Sequence, residues 1–210
     1  MNLIYRFCKD ACFVACRLLY DAQSDGIDNI PNGGCLLAAN HVSYLDPPLI
    51  GGLIRNNIYY LARKTLFKPP ILHWLLPRVN VIPVDQQKPD MVGLKKIIHL
   101  LRSGEKVLLF PEGARSFDGQ LQPPMPGIGF VVAKAQVPVV PVRVFGAYEA
   151  WPRTGKLKLF MPLRAVFGFP IQFSLPEKPS REDYEKVGHD IMSAIAQLKY
   201  PDFELENSIK

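Results

Sequence analysis

An α/β fold, with a mixed, mostly parallel sheet flanked by helices, is what this sequence predicts, and three observations predict it. Short β-rich runs alternate with helical stretches along the chain. Two of the helical stretches carry end signals that fix their bounds. The 210 residues hold no internal repeat, low-complexity segment or linker, so they fit one domain with a sizeable core.

Taken in order, the first twenty residues read as an amphipathic helix. Arg6, Lys9, Asp10, Arg17 and Asp21 fall within a polar arc of about 120° at 100° per residue. Leu3, Ile4, Cys8, Ala11, Cys12, Val14, Ala15, Leu18 and Leu19 occupy the wide remainder. Such a helix docks on a domain or lies in a membrane interface. Strands are expected at Cys35–Ala39, Ile58–Ala62, Val79–Val84, Lys106–Phe110, Val137–Val144 and Ala165–Phe169. Helices are expected between them at Pro47–Arg55, Met91–Arg102 and Gly127–Ala135, with a last one at Arg181–Tyr200. Asp90 precedes the second of these as an N-cap and Gly104 stops it. Ser180 with Asp183 forms a capping box for the last.

Composition narrows the function classes. No stretch approaches 18 consecutive apolar residues, so a spanning helix is not expected. Lys9, Asp10 and Arg17 interrupt any secretory core, which places the chain in the cytoplasm. A net charge of +6 favours acidic partners: nucleic acid, anionic lipid or phosphorylated small molecules. The basic residues are scattered and no nucleic-acid reading motif is present, so no nucleic-acid partner is expected. Cys8, Cys12 and Cys16 recur along one helix face, where they read as small packing residues and not as metal ligands.

Two segments carry chemistry. His41 and Asp46 follow the strand Cys35–Ala39 and precede Pro47-Pro48, which places Asp46 as the N-cap of the next helix. In a loop curling into that helix, the Asp46 carboxylate can accept from one ring nitrogen of His41 and leave the other as a base. The bland alternative is a capping aspartate beside an ordinary loop histidine. The second segment is Phe110-Pro111-Glu112-Gly113-Ala114-Arg115-Ser116. It lies at a strand's carboxyl end, where open α/β sheets bind ligands. Gly113 permits close backbone approach, while Arg115 and Ser116 offer donors suited to phosphate. A surface turn with an exposed arginine is its bland alternative.

Together these segments resemble the first and third motifs of the lysophosphatidic acid acyltransferases, the 1-acyl-glycerol-3-phosphate acyltransferase family. Histidine, four residues, aspartate stands in Asn40-His-Val-Ser-Tyr-Leu-Asp46, and the third motif is Phe110–Ser116. Ala62–Phe67 with Val81–Asp85 is similar to the second motif, Val137–Val142 to the fourth, and Phe167–Ile171 to a common late element. Gln86 departs from the arginine that usually ends the second motif, leaving Lys64 or Lys88 for its phosphate contact.

The resemblance implies transfer of a fatty acyl group from a thioester, acyl-CoA or acyl carrier protein, to 1-acyl-glycerol 3-phosphate. Glycerol 3-phosphate, another lysophospholipid or a catalytically inactive lipid-binding relative are the alternatives. It makes His41 the general base and Asp46 its orienting partner. Lys64, Glu112, Gly113, Arg115 and Ser116 become the substrate-binding set. It needs no metal and no cofactor beyond the thioester. A lipid substrate also favours the interfacial reading of the first helix. The expected organisation is residues 1–22 as an amphipathic membrane-associated helix and 23–210 as one α/β domain, held peripherally at an anionic surface on the cytoplasmic face. The apolar run Phe67–Arg78 reads either as a packed crossover or as a wall for the acyl chain.

Overall fold

The computed structural model describes residues 2–85 and 90–200. Its centre is β2 (Cys35–Ala39), five residues with every side chain buried. Such a run carries no polar alternation because both faces are covered. Cys35, Leu37 and Ala39 enter one apolar core; Leu36 and Ala38 enter the other.

Seven strands form one sheet. They are β1 (Gln23–Asp25), β2, β3 (Ile58–Arg63), β4 (Val81–Val84), β5 (Lys106–Leu109), β6 (Val139–Phe145) and β7 (Arg164–Phe167). Their spatial order is β1-β7-β6-β2-β5-β3-β4. All neighbours are parallel except β6 and β7. The mixed, mostly parallel expectation therefore holds.

The helices α1 (Leu3–Tyr20) and α2 (Asp46–Leu53) cover one face. The other carries α4 (Met91–Arg102), α5 (Gly127–Ala135) and α7 (Arg181–Gln197), and the chain also forms the short α3 (Pro70–Leu75) and α6 (Ala147–Ala150). Asp90 caps α4 by accepting from the Gly93 N–H at 2.9 Å, and the Ser180–Asp183 capping box opens α7.

This arrangement positions the site. Adjacent strands β2 and β5 pair Ala38 with Leu109, so the loops leaving them emerge side by side. The chain after β2 turns to the α1–α2 face, and the chain after β5 turns to the opposite one. That divergence opens the crevice at which α/β sheets bind ligands.

Several local bounds shift. The strand expected from Val79 begins at Val81, because Leu76–Val79 winds into a 3₁₀ turn and Asn80 is left-handed at φ 60. The last helix stops at Gln197, short of Tyr200. The expected strand Val137–Val144 starts two residues later, at Val139, and runs one residue further, to Phe145.

The first helix docks on the domain along one side and leaves apolar side chains exposed on the other. Tyr5, Cys16 and Tyr20 are buried, and the Ile58 N–H donates to the Tyr5 hydroxyl at 2.9 Å. Gly52 of α2 allows the close approach, since a Cβ there would lie 3.0 Å from the Phe13 nitrogen. Leu3, Phe7, Val14 and Leu18 instead point outward, with Leu3 81% and Phe7 74% exposed. These four lie within about 60° of one another on the helix.

Candidate active site

The loop that follows β2 is built on Asn40, the last residue before it. Its side chain donates to the Val144 carbonyl at 3.2 Å and accepts from the Val144 N–H at 2.7 Å. This two-way bond ties the end of β2 to β6 and turns the next residue, His41, out of the sheet.

Asp46 then fixes the ring. Its Oδ2 accepts from His41 Nδ1 at 2.7 Å and from the Val42 and Ser43 N–H groups at 2.8 Å each. It is fully buried. A carboxylate can accept only from a protonated ring nitrogen, so Nδ1 carries the hydrogen and Nε2 keeps its lone pair. The expected N-cap role does not hold: Asp46 is the first residue of α2, the cap position is Leu45, and no side chain caps it. The carboxylate points back over the turn because the two loop N–H groups and the ring converge on it. Ser43 completes the turn, its hydroxyl donating to the Trp151 carbonyl and accepting from the Leu45 N–H.

The second loop clamps the first. Phe110 stacks on the His41 ring, centroids 3.9 Å apart and planes 16° from parallel. The His41 N–H donates to Glu112 Oε1 at 2.7 Å, and the Ser116 N–H donates to the His41 carbonyl at 2.8 Å. Glu112 Oε2 also accepts from the Gln122 N–H. Glu112 and Ser116 are buried, so both work as staples that hold the histidine's backbone. The Ser116 hydroxyl is spent on Asp118. Gly113, at φ 71, makes the tight turn that a side chain would strain.

Burial pushes the Glu112 carboxyl up to about 7 from its ordinary 4.5, and the nearby Asp46 charge adds to the rise against two N–H donors that lower it. The folded protein thus holds this proton more tightly than the unfolded chain. The group's contribution to stability is complete below pH 4.5 and is lost as pH rises through 7. Glu112→Gln should erase that slope. Between pH 5 and 8 its stability relative to the parent should improve by on the order of 2 kcal/mol in denaturant titrations, at about 1.4 kcal/mol per pH unit. An unchanged difference between the two pH values would contradict the assignment.

His41 borders a cavity of about 820 Å³, within the usual range for small-molecule sites. The histidine, Gly113 and Arg115 line it together, and the other walls are mostly apolar, from α1, α2 and the inner strands. Tyr60 and Gly51 meet at the wall, where any Cβ on Gly51 would strike the Tyr60 hydroxyl. Arg115 lays its guanidinium 3.4 Å over the Tyr44 ring.

The expected site residues therefore separate. His41, Asp46, Gly113 and Arg115 come together at the cavity, and Glu112 and Ser116 sit behind it. Lys64 is turned away, exposed and ion-paired with Asp85 at 3.7 Å and Asp90 at 3.8 Å, while its neighbour Arg63 lines the cavity. Gln86 and Lys88 lie outside the described residues. Arg63, Arg153 and the α1 cysteines Cys8 and Cys12 also line the cavity, although sequence reading gave them no part in it. The one available signal was for Arg63, which lies within the second motif, Ala62–Phe67.

A family model described as Acyltransferase matches residues 21–145. The 1-acyl-sn-glycerol-3-phosphate acyltransferase of Bacillus subtilis is 28% identical over 201 residues, covering 93% of this chain and 97% of that protein. The chloroplastic enzyme BAT2 of Brassica napus, of the same name, is 31% identical over 137 residues, and there the match spans 63% of this chain but only 40% of the relative. Among solved structures, the 1-acyl-sn-glycerophosphate (LPA) acyltransferase PlsC of Thermotoga maritima superposes with a TM-score of 0.68 at 27% identity, covering 94% of this chain and 80% of that one. With the family model matching more than half of its length, the chain belongs to the acyltransferase family.

Proposed function

We propose that this protein transfers a fatty acyl group from an acyl thioester to the free hydroxyl of 1-acyl-glycerol 3-phosphate, giving phosphatidic acid. The observation that carries this reading is the 2.7 Å contact from Asp46 to His41 Nδ1, which leaves Nε2 of the neutral ring basic beside a mostly apolar cavity. The names of the relatives that the chain resembles over its length support the acceptor.

In the reaction, the acceptor hydroxyl gives its proton to His41 Nε2 as its oxygen attacks the thioester carbonyl. Asp46 stabilises the imidazolium that forms. The tetrahedral intermediate collapses, the C–S bond breaks, and the departing thiolate takes the proton back from the ring. The apolar cavity holds acyl chain, and Arg115 binds the acceptor's phosphate with its planar fork. Acyl-CoA and acyl carrier protein both supply the thioester that this chemistry needs. A purified preparation given an acyl thioester with 1-acyl-glycerol 3-phosphate, glycerol 3-phosphate or monoacylglycerol should acylate the first most efficiently. A preference for either of the others would overturn the acceptor assignment.

Both lipids in this reaction reside in bilayers, and among the described residues no helix is long and apolar enough to cross one. The outward stripe of α1 supplies the contact instead, and Ile71 and Trp74 of α3 are exposed as well. Lys68 and Arg78 flank α3 and suit anionic head groups. Because the inner side of α1 is core, removing the helix would damage the fold. Phe7→Asp with Leu18→Asp tests the outer side alone. The double variant should bind anionic vesicles at least tenfold more weakly with its melting temperature held, given about 1.5–3 kcal/mol for each large side chain fully buried. Equal vesicle binding would place the contact elsewhere.

A further inference from the structure

Arg153 stands on the turn after α6, outside every motif the sequence singles out. Its guanidinium lies 3.9 Å over the Phe117 ring, and its Nη1 donates to the Arg115 carbonyl at 2.9 Å. Phe117 and Arg115 both belong to the loop after β5. These two contacts therefore bring Arg153 from the β6–β7 connection to the cavity that His41 borders, where it is a lining residue together with Arg115.

Two cations that line one cavity call for a compensating charge. None comes from the protein: no carboxylate lines the cavity among the described residues. Arg115 Nη1 is shut off from solvent with no acceptor, although its guanidinium is fixed over Tyr44. A buried charged donor without a partner is costly, and a neighbouring positive charge makes it more so. Both forks have N–H groups beyond those the protein uses, as only Nη1 of Arg153 is engaged by a protein acceptor. Paired guanidiniums suit an anion of charge near −2 with several acceptor oxygens, as a phosphate monoester is near neutral pH.

We infer that Arg153 and Arg115 form a two-arginine seat for the phosphate monoester of the acceptor, and that Arg153 is a specificity-determining residue of this enzyme. This rests on the acceptor assigned above. Phe117 is its positioning residue, holding the guanidinium by its ring face. The seat accepts a monoester with two charges and disfavours lysolipids whose phosphate is a diester with one charge and a bulky head.

Steady-state kinetics of the full chain in mixed micelles, varying lysophosphatidic acid and acyl thioester in turn, test the seat. Arg153→Gln keeps much of the stem over Phe117 and removes the charge. It should raise the KM for lysophosphatidic acid about 10- to 100-fold, as expected for charged hydrogen bonds, and leave the donor KM within about twofold. Arg153→Lys should recover part of the loss, because it restores charge without the fork. A structural role alone would raise both KM values together, with a lower melting temperature and no recovery by lysine. That pattern, an unchanged acceptor KM, or a rise confined to an acyl-CoA donor would each overturn the seat.

Direct titration of lysophosphatidic acid without a donor separates this claim from the activity. Binding by the parent that weakens in Arg153→Gln supports the seat even if no acyl transfer follows, in which case the activity alone fails. Absence of binding by the parent would overturn both.

Discussion

His41→Ala should lower acyl transfer by about 10²- to 10⁴-fold, the usual contribution of a positioned general base. Nothing else at the cavity can replace it. Glu112 is turned inward against the His41 N–H, and Asp46 is fully buried beneath the ring. The fold should persist. The ring is only half sandwiched, against Phe110, and the bonds that bind the loop to its neighbours leave from the His41 backbone, which alanine retains. Circular dichroism and melting temperature should therefore match the parent while turnover collapses. Parent-like rates from a correctly folded His41→Ala would remove the proposed base.

Asp46→Asn should cost nearly as much with even less change of shape. The asparagine oxygen, in the place of Oδ2, can still accept from the Val42 and Ser43 N–H groups and from His41 Nδ1, which converge on that one atom. What it loses is the negative charge beside the ring, which stabilises the imidazolium formed when Nε2 takes the acceptor's proton. In the Ser-His-Asp constellation of serine proteases the same exchange costs about 10⁴-fold. The expected signature is a fall in kcat, with the KM values for both substrates little altered. An Asp46→Asn protein that keeps its kcat would show that the aspartate only braces the loop.

The parts legible in the sequence were those written in local pattern. β2 announces itself as an apolar run with turn residues after it, and α4 and α7 are fixed by capping side chains that bond where the sequence places them. β1 was missed because Gln23-Ser24-Asp25 has neither length nor alternation; it is a strand only through its pairing with β7. The antiparallel turn of β7 against β6 is likewise a tertiary fact. At the site, spacing brought His41 and Asp46 together correctly but misjudged how the aspartate is used. A free N-terminal helix N–H competes poorly with a ring and two loop amides already converging on one oxygen. Ser116 looked like a substrate ligand because its hydroxyl can donate to phosphate, and Glu112 because the third motif implied it; yet Glu112 accepts from the His41 N–H, and Ser116 gives its N–H to the His41 carbonyl and its hydroxyl to Asp118. Arg153 and Phe117 are 36 residues apart in sequence, with no spacing rule to join them; only the sheet brings them together.

The central claim is direct transfer from thioester to lipid hydroxyl, with His41 acting on the proton and never carrying the acyl group. A single-turnover experiment with an acyl thioester labelled in its acyl chain, quenched in acid with and without 1-acyl-glycerol 3-phosphate, tests it most directly. With acceptor present, the label should pass to phosphatidic acid in one phase that Asp46→Asn slows; without acceptor, it should stay on the thioester and none should be bound to protein. Label accumulating on the protein at a rate that matches turnover, or an absence of labelled phosphatidic acid, would contradict the account.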